Sequence, residues 1–83
     1  MEERIGLIGI MVEDRDNASQ RINSILNEYS KIIVGRMGIP YRERNLSVIS
    51  LIIDGTTDEI GAMTGKLGNI KGVQVKTALL TKK

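Results

Sequence analysis

The sequence contains no cysteine and no histidine. It therefore has no disulfide framework, and neither a Cys–His nor a Ser–His–Asp nucleophilic arrangement can be built from it. Thiolate and imidazole metal sites are excluded as well, which leaves only oxygen ligands for hard cations. These absences predict a protein that is not an enzyme and that carries no cofactor.

Phenylalanine and tryptophan are also absent, and tyrosine occurs only twice, so the core must be aliphatic. The net charge is only +2 and the basic residues are dispersed, so we expect no direct specific DNA binding. No apolar run approaches the ~20 residues that span a bilayer. Residues 1–4 are acidic and lack the basic and apolar regions of a signal peptide. A cytoplasmic location without membrane contact is expected.

The length of 83 residues predicts a single domain over residues 1–83, with regulatory and oligomerisation roles argued below. Hydrophobic residues make up 41% of the chain and charged residues 27%, which is typical of a globular domain and not of disorder. A chain this short buries only roughly 60–65% of its unfolded surface. It would therefore gain much stability from a partner subunit.

Four segments have the composition of β-strands. The first and third are apolar on both alternating sets of residues, which predicts central strands, and the second is interrupted by Gly35. Residues 38–45 form a polar connection with the only proline, and Asp54 with Gly55 is a turn signal. The predicted strands are residues 4–12, 31–37, 46–53 and 73–80.

Two amphipathic helices lie between these strands. Asn17 with Gln20 predicts a capping box that opens the first helix, which ends near Ser30. Thr56 or Thr57 caps the second helix. The expected core stripes are Ala18, Ile22, Ile25, Leu26 and Tyr29 in the first helix, and Ile60, Met63, Leu67 and Ile70 in the second.

The order strand–helix–strand–strand–helix–strand predicts an α+β, ferredoxin-like βαββαβ fold. Right-handed crossovers then place the fourth, first, third and second strands side by side in one antiparallel sheet. Both helices lie on one face of that sheet, and the other face is apolar without a cover. Exposed apolar patches of that size indicate an interface, so we predict a homo-oligomer, most simply a two-fold dimer.

An acidic loop precedes the first helix. Asp14 and Asn17 are candidates for contact with an amino acid or a similar small ligand, and the loop could also hold a hard cation. The alternative is that these residues only cap the helix and complement its dipole. Arg36, Arg42 and Arg44 could bind an anion, although loop arginines are more often simply solvated.

Glycines form a stripe along the second helix. At ~100° per residue, Gly61 and Gly65 lie on the side opposite the core stripe, as does Gly68, which can also be explained as a helix C-cap. Three such glycines should cost roughly 2–3 kcal/mol against alanine. Close approach of a second chain or a ligand would explain Gly61 and Gly65, which makes them candidates for self-association.

Residues 32–80 resemble the C-terminal regulatory domain of nickel-responsive repressors, which is ACT-like. The metal ligands of that family fall on Ile39, Tyr41, Ser47 and Glu28, so the resemblance does not imply a metal site here. The family's DNA-binding ribbon–helix–helix domain has no counterpart in this chain. Nearly the whole chain resembles a small family of stand-alone domains proposed to regulate the iron-only hydrogenase system, chiefly through the tract DGTTDEIGAMTGKLGNIKGVQVKTALL.

The resemblance implies a non-catalytic regulatory module, either a transcriptional or a hydrogenase-system regulator. Such a module would sense a small-molecule effector or a protein partner through an ACT-like oligomer. The alternative is a purely structural, self-assembling subunit without a small-molecule ligand. An enzyme on a ferredoxin-like scaffold is a third hypothesis, and it is the weakest because no nucleophile–base pair is visible.

Overall fold

The chain folds in the predicted order of elements. The computed structural model describes residues 3–13 and 15–80. Two short 3-10 turns, Ser30–Ile32 and Arg42–Arg44, flank the second strand. The principal elements are β1 (Glu3–Val12), α1 (Arg15–Glu28), β2 (Ile33–Tyr41), β3 (Leu46–Thr56), α2 (Thr57–Gly68) and β4 (Val73–Leu79).

The four strands form one antiparallel sheet in the order β2-β3-β1-β4. β1 pairs with β3 and β4, and β2 pairs with β3, so β1 and β3 are the central strands. This topology confirms the predicted ferredoxin-like α+β fold and its strand order.

Both helices cover the same face of the sheet, and the core lies between them and that face. Alternate residues of β1 and β3 point into it: Ile8 is 1% exposed, and Leu51 and Ile53 are both fully buried. The helices contribute the stripes that their apolar spacing predicts, including Ile22, Leu26, Met63 and Leu67. The core is entirely aliphatic apart from partly buried Tyr29 and the sulfur of Met63.

The N-terminus of α2 is fixed by a reciprocal cap. The Thr56 hydroxyl accepts a hydrogen bond from the Glu59 N–H (3.1 Å), and the Glu59 carboxylate accepts one from the Thr56 N–H (2.9 Å). Two backbone donors that the helix leaves unpaired are thereby satisfied. Of the two predicted caps, Thr56 is the one used.

The start of α1 differs from the prediction. The helix begins at Arg15, so Asn17 lies inside its first turn and is not the N-cap, and the predicted Asn17–Gln20 capping box is wrong. The preceding backbone is anchored by tertiary structure: the Glu13 N–H donates to the Gly72 carbonyl (2.8 Å). That contact joins residues far apart in the chain, so local capping signals do not reveal it.

β2 extends further than predicted. Residues 38–41, expected in a polar connection, continue the strand, and Pro40 pairs with Ser47. Proline is tolerated here because β2 is an edge strand whose outward N–H groups have no ladder partner. A register shift between Ile33 and Gly35 leaves Val34 as a bulge.

The predicted turn at Asp54 and Gly55 is also wrong, because β3 runs through both residues to Thr56. Gly55 is buried, and a Cβ atom built there would lie 2.9 Å from Cγ2 of Ile32. Glycine is needed for this close packing and not for a turn. The glycine with a positive φ is Gly72 (φ 80°), in the turn before β4.

The two helices are joined at their surface by Lys66. Its Nζ donates a 2.8 Å hydrogen bond to the Glu28 carboxylate and lies 5.0 Å from the centroid of the Tyr29 ring. The hydrogen bond from Lys66 to Glu28 is the main reason that the pKa of Lys66 is raised above its usual value. The contribution to stability is therefore present below the ordinary lysine pKa and is lost as the pH rises through the raised one. The pair is exposed, so the contribution is small.

Candidate functional site

The face of the sheet that turns away from the helices, here called the open face, is largely apolar. The register places Leu7 beside Ile52 and Val48 beside Ile39, so side chains from three strands form continuous rows. Each large member is between 41% and 60% exposed. These residues are Ile5, Leu7, Met37, Ile39, Tyr41, Val48 and Ile52.

Polar residues lie at the margins of the open face. Asp54 pairs with Ile5 at one end of the central strands, and Gln74 and Lys76 lie on edge strand β4. Between the apolar rows, Gly9 pairs with Ser50, and both are small. The result is an apolar surface with a shallow central strip and a polar rim, which is the usual anatomy of an association surface.

The second feature is a cavity of about 220 Å³ between α1 and the edge strand, here called the α1–β2 cavity. Its apolar lining comes from core residues, including Val12, Ile22 and Ile49. Its polar lining is Ser19, Asn23, Arg36 and Ser47. Ser47 is 9% exposed and is the buried polar residue of the described core.

The α1–β2 cavity exists because the strand residues beneath this part of α1 are small. Gly38 and Pro40 of β2, with Ser47 of β3, present little volume toward Ile22. Arg36 lies on β2, and its Nη2 donates a 3.2 Å hydrogen bond to Oδ1 of Asn23 on α1. Both side chains are exposed at the mouth of the cavity, and this hydrogen bond uses only one of the five guanidinium donors of Arg36.

The sequence-predicted ligand residues are not brought together at the α1–β2 cavity. Asp14 lies outside the described residues, and Asn17 is exposed on α1 and does not line the cavity. Ser19 and Asn23, further along the same helix, do line it. Of the three arginines that the sequence offers as anion ligands, Arg36 lines the cavity and Arg42 and Arg44 do not. Ser47 gives no signal in the sequence beyond being a polar residue on the core-facing side of a strand.

The glycine stripe of α2 faces outward, as predicted. Gly61, Gly65 and Gly68 line a shallow groove between α2 and β4 that also contains Val75 and Thr77. A Cβ atom added at Gly61 or Gly65 would meet nothing within 4 Å. The fold of one chain therefore does not require glycine at either position.

The double variant Gly61→Ala, Gly65→Ala tests whether a second chain approaches this stripe. If it does, the added methyl groups will weaken the assembly and lower the melting temperature. The surroundings within one chain predict the opposite, a gain of up to about 1 kcal/mol per site from helix propensity. Melting temperature and mass should be measured on the same samples. A higher melting temperature with unchanged mass would contradict a contact at Gly61 and Gly65.

Neither a metal centre nor a membrane span is found in the part of the chain that the structure describes. Within residues 3–13 and 15–80, no three His, Cys, Asp or Glu side chains are grouped so that they could hold a metal ion. No helix in these two ranges is both long enough and apolar enough to cross a membrane.

Residues 4–77 match a family described as "TM1266-like: Iron-only hydrogenase system regulator, putative". The solved structure of the protein TM1266 from Thermotoga maritima is 44% identical to this chain and superposes with a TM-score of 0.93. The match covers 96% of this chain and all of the Thermotoga protein. No curated protein matches the chain.

More distant solved structures share the fold alone. The divalent ion tolerance protein CutA1 from Ehrlichia chaffeensis has a TM-score of 0.51 at 19% identity, covering all of this chain and 87% of its own. CPII, a nitrogen regulatory PII-like protein from Thiomonas intermedia, has a TM-score of 0.52 at 14% identity. That match covers 98% of this chain and 96% of CPII, whose structure holds ADP, AMP and bicarbonate.

Proposed function

Because the chain belongs to the TM1266-like family of iron-only hydrogenase system regulators, we propose that it is a non-catalytic regulatory module that works as a homodimer. Its residues form one cytoplasmic domain, which associates through the open face of the sheet. Regulation then operates through a small-molecule effector or a protein partner and not through direct DNA binding.

The apolar open face carries this proposal. The chain exposes 5838 Å², whereas a folded monomer of 9.2 kDa is expected to expose about 4,900 Å². The excess of about 900 Å² is close to the ~800 Å² that each partner contributes to a standard protein–protein interface. A surface larger than a monomer of this mass normally exposes favours association with a second copy.

A second copy of the same chain fits the open face because the face is self-complementary in character. A two-fold axis that lies parallel to the open face, between two copies, would bring the apolar rows of one copy, such as Leu7 and Ile52, against those of the other. The charged side chains Asp54 and Lys76 remain at the margins, where they stay hydrated. The strip at Gly9 and Ser50 leaves room for larger side chains of the partner to interdigitate.

The polar residues support binding and not catalysis. Ser47 is the buried polar side chain of the described core, and it has no histidine available as a base anywhere in the sequence. The acidic side chains that the structure describes lie at the surface, and none of them lines the α1–β2 cavity. A role in sensing needs only a bound effector and an assembly that responds to it.

The proposal is tested in an organism that contains this chain and an iron-only hydrogenase. Deletion of the gene that encodes this chain should change hydrogenase activity or hydrogenase transcript level. Expression of the wild-type chain should restore the original level. The Ile52→Lys variant, which places a charge at the centre of the open face, should fail to restore it. Unchanged activity and transcript level after deletion would overturn the regulatory role.

A further inference from the structure

We infer that the α1–β2 cavity is a binding site for a small organic monoanion, with one carboxylate and a compact apolar body. This inference rests on the proposed regulatory function, because it names the chemical class of the effector that the module would sense. It is carried by the volume of the cavity, by the cation at one end and by the apolar walls between its polar ends.

The size of the cavity limits the ligand. Its volume of about 220 Å³ corresponds to about seven water molecules at ~30 Å³ each. Drug-sized ligands and nucleotide cofactors occupy sites of ~300–1,000 Å³, which is larger than this cavity. A molecule of about seven to ten non-hydrogen atoms matches the space.

The charge of the cavity selects an anion. Arg36 is the charged residue among its described lining residues, and no described lining residue is acidic. The hydrogen bond from Arg36 to Asn23 orients the guanidinium group across the gap between β2 and α1 (3.2 Å). A planar fork held in this way suits a carboxylate, which accepts two parallel N–H hydrogen bonds.

The walls select an apolar body. Val12, Ile22 and Ile49 line the space beside Arg36 and close its inner side against the core. Ser47 lies four residues along the paired strands from the position opposite Arg36, so its hydroxyl serves the far end of the cavity. A branched hydrocarbon chain would cover the apolar walls while its carboxylate remains at the open, charged end.

The probe is isovalerate, a branched monocarboxylate of seven non-hydrogen atoms, titrated into the uniformly ¹⁵N-labelled full chain. Saturable amide shifts are expected at Asn23, Gly38 and Ser47. The neutral amide isovaleramide should bind at least tenfold more weakly.

The Arg36→Gln variant, which keeps a hydrogen-bond donor for Asn23 but removes the charge, should weaken isovalerate binding at least tenfold. Arg21→Gln is the matched control, because Arg21 lies on α1, the helix that carries Asn23, but lines the groove between the two helices.

Four results would overturn the inference. They are the absence of saturable shifts at the cavity, equal binding of isovalerate and isovaleramide, undiminished binding by Arg36→Gln, and binding of inorganic phosphate in place of isovalerate. The mass of the unliganded protein is measured separately. If the protein is a dimer but does not bind isovalerate, the anion site is refuted and the proposed dimer is not. If the protein is a monomer that binds isovalerate, the proposed dimer is refuted and the anion site is not.

Discussion

The Ile52→Lys variant is expected to dissociate the proposed dimer, with an association constant reduced by a factor of about a hundred or more. Ile52 lies on central strand β3, between Leu7 of β1 and Gly35 of β2, and its side chain is 46% exposed on the open face. Dimerisation would bury a lysine at this position without a partner charge. An uncompensated buried charge costs about 3–5 kcal/mol, and each 1.4 kcal/mol is tenfold in affinity.

The same substitution should leave the monomer folded. In the free chain the lysine stem can lie along the neighbouring apolar side chains while its ammonium group reaches water. The loss in strand propensity is below about 1 kcal/mol. The core on the opposite face, which contains Leu51 and Ile53, is not touched by the change.

The measurement is molar mass by light scattering across micromolar concentrations. The wild-type chain should have twice its 9.2 kDa mass and Ile52→Lys the monomer mass. The control is Asn27→Lys, which adds the same charge at an exposed position of α1 and should remain dimeric. A wild-type chain that is a stable monomer at these concentrations would refute an interface on the open face. Dissociation by both variants would show a general charge effect.

Most of the fold follows from patterns within the sequence. The two-sided apolarity of β1 and β3 predicts central strands, and handedness then determines the strand order. The helix stripes predict which residues meet the sheet. The three local errors have one cause: the capping box at Asn17, the connection around Pro40 and the turn at Gly55 were all inferred from short signals. Each of these positions is decided by a contact that is distant in the sequence or by an edge position in the sheet.

The candidate site was less predictable than the fold. The outward direction of Gly61 and Gly65 follows from helical spacing. The uncovered sheet face follows from the predicted topology, because both helices lie on the same face of a four-stranded sheet. The α1–β2 cavity depends on the gap between a helix and an edge strand, which composition does not reveal. Gly38 and Pro40 create that gap only because β2 continues through them. The sequence predicts that the strand ends at Met37, so the gap could not be predicted.

The Gly6→Val variant should lose about 3 kcal/mol of unfolding free energy, in the upper part of the range for overpacked sites. Gly6 lies on the core-facing side of β1, between Ile53 of β3 and Leu79 of β4. A Cβ atom there would be 2.9 Å from the backbone oxygen of Ala78 and 3.0 Å from Cδ2 of Leu79. A flexible side chain could turn aside, but a backbone oxygen moves only if β4 shifts against β1.

Gly9→Val is the matched control on the same strand. Gly9 faces the open side, and an added Cβ atom there meets nothing within 4 Å. Neither glycine has a positive φ, so backbone strain does not distinguish the two sites. At Gly9 a β-branched residue should leave the stability of one chain unchanged or raise it by up to about 1 kcal/mol. Urea unfolding followed by circular dichroism is measured for both variants in the Ile52→Lys background, which is expected to be monomeric, so that a change at the association surface does not enter the comparison. If Gly6→Val were as stable as Gly9→Val, the close approach of β4 to β1 at Gly6 would be wrong. The packing of β4 against β1, which closes that edge of the core, would then also be incorrect.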